Sequence, residues 1–156
     1  MKTKITLLIA FLFLSITTIF AQNEKDLETL SIFSELVKSK NYTAAYTPWM
    51  ELRNRNPKFN KAIFIYGERI LKYKINNSEG EEKVMFLNDM LKLWEERKAV
   101  FPNVTPSGSF MSKACQLEYD NRKILNKSNE TLYAAFDSAY TTDSKTFTNP
   151  KSLYTY

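Results

Sequence analysis

The sequence contains no histidine among its 156 residues and only one cysteine, Cys115. Without histidine, the chain cannot form a Ser-His-Asp or Cys-His nucleophilic site. A zinc site would have no imidazole ligand and at most one thiolate. A single cysteine cannot form a disulfide within the chain, so packing must stabilise the fold. These absences predict a protein that is not an enzyme and that holds no metal.

Glycine is also scarce, with only Gly67, Gly80 and Gly108, and none is spaced as a phosphate-binding loop. Paired carboxylates occur at Glu81-Glu82 and Glu95-Glu96. Adjacent residues on a helix point about 100° apart, so such pairs do not converge on one substrate atom. We interpret them as exposed charges. The sequence therefore predicts no catalytic residue and no cofactor.

The 22 basic and 17 acidic side chains are interspersed along the chain, without long runs of one sign. A surface that binds nucleic acid requires clustered lysine and arginine. This mixed pattern is typical of a solvated surface. We therefore expect no nucleic-acid partner.

The first 21 residues, MKTKITLLIAFLFLSITTIFA, have the layout of a signal peptide. Lys2 and Lys4 form the charged start, and Ala21 is a small residue at the cleavage site. The apolar run 7–14 is far shorter than the roughly 20 residues that span a bilayer. Cleavage would lower the formal net charge by two lysines, from +5 to +3. The sequence predicts a periplasmic or secreted protein with no integral membrane segment after cleavage, and a retained anchor is the alternative.

Beyond residue 21, apolar residues recur at steps of three and four, and the alternation typical of strands is missing. This period predicts an all-α chain of antiparallel helices joined by short links. One helix is predicted over 42–55, where Pro57 ends the pattern. The other helices are predicted at about 27–37, 63–73, 86–100, 110–125 and 129–141.

Polar segments separate these helices. NNSEGEE, residues 76–82, is predicted to be an exposed connection, and PNVTPSGS, residues 102–109, a second break. Asn149-Pro150 has the chemistry of a helix start, with asparagine as N-cap and proline in the first turn. The segment 147–156 is thus the predicted start of a further helix. Either Leu153, Tyr154 and Tyr156 pack back on the preceding helices or a longer array follows, and we favour the longer array.

Two of the predicted helices share one pattern. Trp49 precedes Pro57 by eight residues, and Trp94 precedes Pro102 by eight. The matched positions on the same faces are Tyr42 with Leu87 and Ala45 with Met90. This recurrence resembles the tetratricopeptide repeat (TPR), a 34-residue helical hairpin. The segment KNYTAAYTPWMELRNRNPKFNKAIFIYGERIL also resembles exported TPR-like proteins of Bacteroidota.

The resemblance implies an all-α fold of antiparallel helical hairpins stacked as a TPR-like solenoid over 22–146. Its units would cover about 26–59, 60–104 and 105–146, the second with an insertion of about 11 residues. Gly67 falls on the glycine position of the family, where a residue without Cβ lets two helices approach. Trp49 and Trp94 are expected to be buried.

Members of the family bind partner segments along the first helix of each hairpin. The resemblance therefore implies a non-catalytic scaffold for protein–protein interaction in the cell envelope. The partner would be another envelope protein or peptide. The implied partner-binding residues are Lys61, Phe64, Glu68, Leu71 and Lys72. Phe64 and Leu71 would anchor an amphipathic segment that the charged residues orient. A small-ligand or glycan-binding protein, or an accessory subunit of an envelope enzyme assembly, is the alternative.

Overall fold

The computed structural model describes residues 22–156, and the predicted signal peptide, 1–21, lies outside the described residues. Every regular element in 22–156 is helical, which confirms the all-α class. Helix α1 is described from residue 22 to residue 38. The others are α2 (Tyr42–Arg55), α3 (Ala62–Asn76), α4 (Gly80–Val100), α5 (Ser107–Asp120), α6 (Asn129–Thr142) and α7 (Pro150–Thr155), with a short 3-10 turn at Pro102–Val104. None of these helices is long and apolar enough to cross a bilayer.

The chain divides into two compact units, the first ending at Phe59 and the second running from Asn60 to Tyr156. In the described part of the first unit, α1 and α2 form a hairpin. Asn41 begins α2, because its side chain accepts a hydrogen bond from the Ala44 backbone N–H. The buried apolar side chains of this unit are Phe33, Val37, Ala45, Trp49 and Leu52.

One buried carboxylate connects the two ends of this hairpin. Asp26, near the start of α1, accepts hydrogen bonds from Arg55 Nε and Asn56 Nδ2, each at 2.8 Å. Both donors lie at the end of α2. The contact therefore shows that α1 and α2 are antiparallel.

In the second unit the helices pack in chain order. Helix α3 packs on α4, α4 contacts α5, and α5 packs on α6 and α7. The largest fully buried apolar side chains of this unit are Ile63, Phe64, Ile70, Leu71, Leu87, Leu93, Phe136 and Phe147. The unit is thus two hairpins, α3/α4 and α5/α6, with the short α7 packed on α5.

Several helix boundaries confirm the sequence analysis, and others correct it. The helix predicted over 42–55 is α2 as observed. The segment 76–82 is not one exposed connection, because α4 begins at Gly80 and Ser78 is buried. Ser78 Oγ donates to the Lys74 carbonyl at 2.8 Å, which closes the end of α3. Gly80 then takes φ +55°, a conformation that side chains disfavour, and this lets α4 start early.

Helix α5 also begins earlier than predicted, at Ser107, and ends at Asp120. Gly108 explains the early start, because its backbone N–H donates to Asp143 Oδ2 at 3.1 Å. A Cβ at this position would lie 2.1 Å from the Asp143 carbonyl oxygen and 2.7 Å from the Phe147 backbone nitrogen. The first turn of α5 therefore lies directly against the link between α6 and α7, where only glycine fits.

The helix predicted to start at Asn149-Pro150 is confirmed as α7, with the Asn149 side chain accepting from two backbone N–H groups of its first turn. Ser152 is buried, and its Oγ donates to the Ser112 carbonyl at 3.0 Å. Tyr156 stacks on Phe136 with ring centroids 6.4 Å apart. Leu153 and Tyr154 are exposed. The helix thus packs on the preceding hairpin through Ser152 and Tyr156.

The expected burial of the two tryptophans is confirmed. Trp49 has 0% of its surface exposed and Trp94 has 7%. Trp49 contacts the Tyr46 ring, with centroids 5.7 Å apart, and the Arg53 guanidinium lies 5.2 Å from the Trp49 ring. The indole N–H of Trp94 donates instead to the Glu68 carboxylate on α3.

A candidate binding cleft in the second unit

A cleft of about 430 Å³ opens on the second unit, between α3, α4 and α5. Each helix contributes residues at steps of three, four or seven, which places them on one face of that helix. The lining residues are Glu68, Lys72, Ile75 and Asn76 from α3, Lys83, Met90 and Trp94 from α4, and Lys113, Gln116, Leu117 and Asp120 from α5, with Asn121 just after α5 and Asn149 just before α7. The cleft is therefore formed by three helices that are consecutive in the chain.

Most of the buried side chains that line the cleft are apolar and form what we call its apolar base, and Gln116 is the buried polar one. Ile75, Met90 and Trp94 are all buried, and Leu117 is half-buried beside them. Pockets of this size and lining hold a few side chains of a partner or one small molecule. The lining of the cleft thus favours an occupant with an apolar side chain.

Glu68 is the centre of a polar group to which all three helices of the cleft contribute. The Trp94 indole Nε1 donates to Glu68 Oε2 at 3.2 Å, and Lys113 Nζ lies 3.1 Å from Glu68 Oε1. The Glu68 side chain is 30% exposed and that of Lys113 is 36% exposed. Solvent screens such a pair, so we expect it to stabilise the fold by no more than about 1 kcal/mol. Its main consequence is that the charges of Glu68 and Lys113 neutralise each other.

The second carboxylate of the cleft is also compensated. Asp120 Oδ2 lies 2.6 Å from Lys151 Nζ, and Gln116 Nε2 donates to Asp120 Oδ1 at 2.9 Å. Both negative charges of the cleft therefore already have partners within the unit.

Two positive charges of the cleft have no such partner among residues 22–156. In the described part of the chain, no carboxylate lies within ion-pair distance of Lys72 or Lys83. Lys72 is exposed and Lys83 is half-buried. The unpaired charge of the cleft is therefore positive and comes from α3 and the first turn of α4.

The structure brings only two of the five predicted partner-binding residues into this cleft, Glu68 and Lys72. Lys61 is exposed at the start of α3. Phe64 and Leu71 are 1% and 0% exposed. They do not present the anchoring surface that the sequence analysis assigned to them.

The reason is that α3 buries more than one of its faces, with Ile63, Gly67, Ile70 and Ile75 also buried. Phe64 packs edge-on against Phe101, with ring centroids 5.9 Å apart and an interplanar angle of 80°. A position count along one helix cannot tell a groove-facing apolar residue from a core residue. Contact of a partner with Lys61, Glu68 and Lys72 stays a prediction.

Sequence reasoning missed the contributions of α4 and α5 to the cleft. Lys113, Gln116, Leu117 and Asp120 follow helical spacing and form a mixed polar and apolar face. That pattern was visible in the sequence. What was not visible is that this face lies opposite Glu68, 45 residues earlier in the chain.

No group of three or more His, Cys, Asp or Glu residues within 22–156 is placed to hold a metal ion. Burial, with a smaller contribution from the charge of Glu118, raises the pKa of Cys115 to about 11. The thiol is therefore protonated near neutral pH and is a poor nucleophile.

Comparison with known proteins does not add a relative. No family model matches the chain, and no curated protein and no solved structure matches it either. The chemistry of the cleft therefore has to be argued from its own residues.

Proposed function

We propose that the protein is a non-catalytic interaction scaffold that binds a peptide or helical segment of a partner protein in the cleft between α3, α4 and α5. The observation that carries this proposal is the apolar base of the cleft, formed by Ile75, Met90 and Trp94 and surrounded by charged side chains. A buried apolar contact surrounded by polar groups is the usual composition of a protein–protein binding site.

The proposal includes a TPR-like stacking of the helical hairpins. Two features of the second unit support it: the helices pack in chain order, and residues of α3 and α5 line one cleft. Repeat proteins of this kind bind partners along surfaces formed by successive helices. The proposed location, the periplasm or the cell exterior, rests on the signal-peptide pattern of residues 1–21.

The proposal can be tested by display of a random library of 12-residue peptides on the immobilised purified protein. We expect enrichment of peptides with at least one large apolar residue. Replacing Leu117 by glutamate should lower the affinity for the enriched peptides at least tenfold, since it places a charge beside the apolar base. Met85→Glu is the matched control, because Met85 is an exposed apolar residue of α4 outside the cleft.

The control variant should bind within about twofold of the unaltered protein, and circular dichroism should show that both variants are folded. Two results would contradict the proposal. One is that no peptide is enriched over an unrelated helical protein. The other is that both variants bind as well as the unaltered protein.

One observation favours a second candidate function, glycan binding. A smaller depression of about 210 Å³ is lined by aromatic side chains, among them Tyr133, Phe136 and Tyr156. Tyr133 is 61% exposed. Exposed tyrosine rings offer apolar faces with a polar edge. Binding on a glycan array that Tyr133→Ala abolishes, and that Leu117→Glu leaves intact, would favour this function over the first.

A further inference from the structure

The charges of the cleft identify the kind of segment that it binds best. Of its five ionisable side chains, Glu68 is paired with Lys113, and Asp120 is paired with Lys151 from α7. Lys72 and Lys83 remain without an ion pair among residues 22–156. A partner that enters the cleft therefore meets two uncompensated positive charges and no uncompensated negative charge.

The neighbouring acidic residues do not form ion pairs with these lysines among residues 22–156. Glu79, Glu81 and Glu82 precede Lys83 in the chain, but none of them lines the cleft. None lies within ion-pair distance of Lys83 either. The charge that faces the cleft at this end is therefore that of the lysines.

Asn76 adds an uncharged hydrogen-bond donor on the α3 side of the cleft. It follows Lys72 by one turn of α3 and also lines the cleft. Within the described residues its side-chain amide makes no hydrogen bond. Amide N–H and ammonium groups both donate to carboxylate oxygens. The three side chains thus offer donors of the kind that a carboxylate accepts.

From this arrangement we infer that the cleft selects acidic amphipathic segments, in which an apolar side chain lies on Met90 and Trp94 while aspartate or glutamate side chains contact Lys72 and Lys83. This inference rests on the proposed function, because it names the chemistry of the segment that the same cleft binds. The two claims can fail separately, since a cleft can bind peptides without preferring acidic ones.

The test uses the peptides enriched from the random 12-residue library. We expect them to carry more aspartate and glutamate than the starting library, together with an apolar residue. An enriched peptide is then synthesised in three forms, with its glutamates kept, changed to glutamine, or changed to lysine. Fluorescence anisotropy should show that the glutamate form binds at least tenfold more tightly than the glutamine form, and that added salt reduces this difference.

Reversing the charges of the two lysines tests whether the acidic preference arises in the cleft. In the double variant Lys72→Glu and Lys83→Glu, the order should invert, so that the lysine form binds more tightly than the glutamate form. The matched control is Lys98→Glu with Lys145→Glu, which makes the same change in net charge at two exposed lysines outside the cleft. The control should keep the original order, which excludes a general effect of net charge.

Each remaining outcome counts against the inference in a distinguishable way. If peptides are enriched but the three forms bind equally, the acidic preference is wrong and the scaffold function stands. If no peptide is enriched, both are wrong. A third result is that no peptide binds, whereas octanoate, an apolar carboxylate, binds the unaltered protein and not the Lys72→Glu, Lys83→Glu variant. The cleft would then hold a small anionic ligand instead of a protein segment.

Discussion

The hairpin α1/α2 and the hairpin α3/α4 each contain a buried tryptophan and a hydrogen-bonded carboxylate, and they differ in how far the carboxylate is exposed. Each has a buried tryptophan on its second helix, Trp49 or Trp94, and a hydrogen-bonded carboxylate on its first, Asp26 or Glu68. Asp26 is fully buried, whereas Glu68 is 30% exposed and lines the cleft. The comparison indicates that the tryptophan is the common structural element and that the carboxylate is the part whose surroundings differ.

The surroundings of Asp26 show what a structural carboxylate requires. Burial alone would raise the pKa of Asp26, but hydrogen bonds from Asn56, Arg55 and Gln22, with the charge of Arg55, outweigh it and hold the pKa below its usual value. A buried charge without such partners would be very unfavourable. Together these partners keep Asp26 ionised inside its hairpin.

The largest effects are expected from the tryptophans, and they test the common part of the comparison. Trp49→Ala and Trp94→Ala should each lower the free energy of unfolding by about 3–5 kcal/mol, because each leaves a cavity in a packed core. Urea denaturation followed by circular dichroism measures this loss. Tyr154→Ala is the control, since 94% of Tyr154 is exposed, and it should change stability by less than about 0.5 kcal/mol. A loss below about 1 kcal/mol for either tryptophan would show that the two hairpins are not alike.

Asp26→Ala should have the next largest effect. It removes the acceptor of the Arg55 side chain, which is 27% exposed, and of the Asn56 amide. Breaking a buried ion pair costs about 3–5 kcal/mol, and partial exposure of Arg55 reduces the expected loss to about 2–3 kcal/mol. Hydrogen exchange should increase within residues 22–59. Unchanged exchange in these residues would show that Asp26 does not stabilise the hairpin.

Much of the helical fold could be predicted from sequence because its signals are local. The α2 helix lies between Asn41 and Pro57, and α7 begins at Asn149-Pro150, where capping chemistry needs only neighbouring residues. The early start of α5 could not be predicted. It depends on Gly108 meeting Asp143, 35 residues later. The break predicted over 102–109 is therefore shorter in the structure, because α5 already begins at Ser107.

The candidate site was less predictable than the fold. Glu68 and Lys72 were identified because a repeat register places them on one helical face. The same register placed Phe64 and Leu71 at a partner surface, although packing buries them. Whether an apolar residue of a helix contacts its own chain or a partner depends on which other helices cover it. That information lies in tertiary contacts and not in the period.

Gly108→Ala should lower the free energy of unfolding by about 1–3 kcal/mol, since the added methyl group overlaps backbone atoms that cannot easily move. This extends the comparison to the contact between α5 and the link that follows α6, where close backbone approach accompanies the hydrogen bond from Gly108 to Asp143. Gly80→Ala is a useful control, because nothing lies within 4 Å of its added Cβ and only its φ of +55° is unfavourable. We expect a loss of about 1 kcal/mol there. Equal or reversed effects would show that the contact at Gly108 is loose.

The pH dependence of stability tests whether the charge of Asp26 stabilises its hairpin. Because the folded-state pKa of Asp26 lies below its usual value of 3.8, its ionised form stabilises the fold at pH values above about 4. This contribution is lost as pH falls below that value and through the folded pKa. The stability difference between the unaltered protein and Asp26→Asn should therefore shrink as pH is lowered from about 5 to about 2. A difference that stays constant over this range would mean that the charge of Asp26 is not what stabilises the hairpin.

The smallest effect on stability is expected for Glu68→Gln, and it tests the variable part of the comparison. The glutamine oxygen can still accept the Trp94 indole N–H, and only the screened pair with Lys113 is lost, so the change should be less than about 1 kcal/mol. The substitution also leaves Lys113 uncompensated, which adds a third free positive charge to the cleft. An acidic peptide should then bind about two- to fivefold more tightly, as measured by fluorescence anisotropy, whereas Glu95→Gln, an exposed change on α4 outside the cleft, should have little effect. A stability loss above about 2 kcal/mol would instead give Glu68 the same structural role as Asp26, and the difference between the two hairpins would disappear.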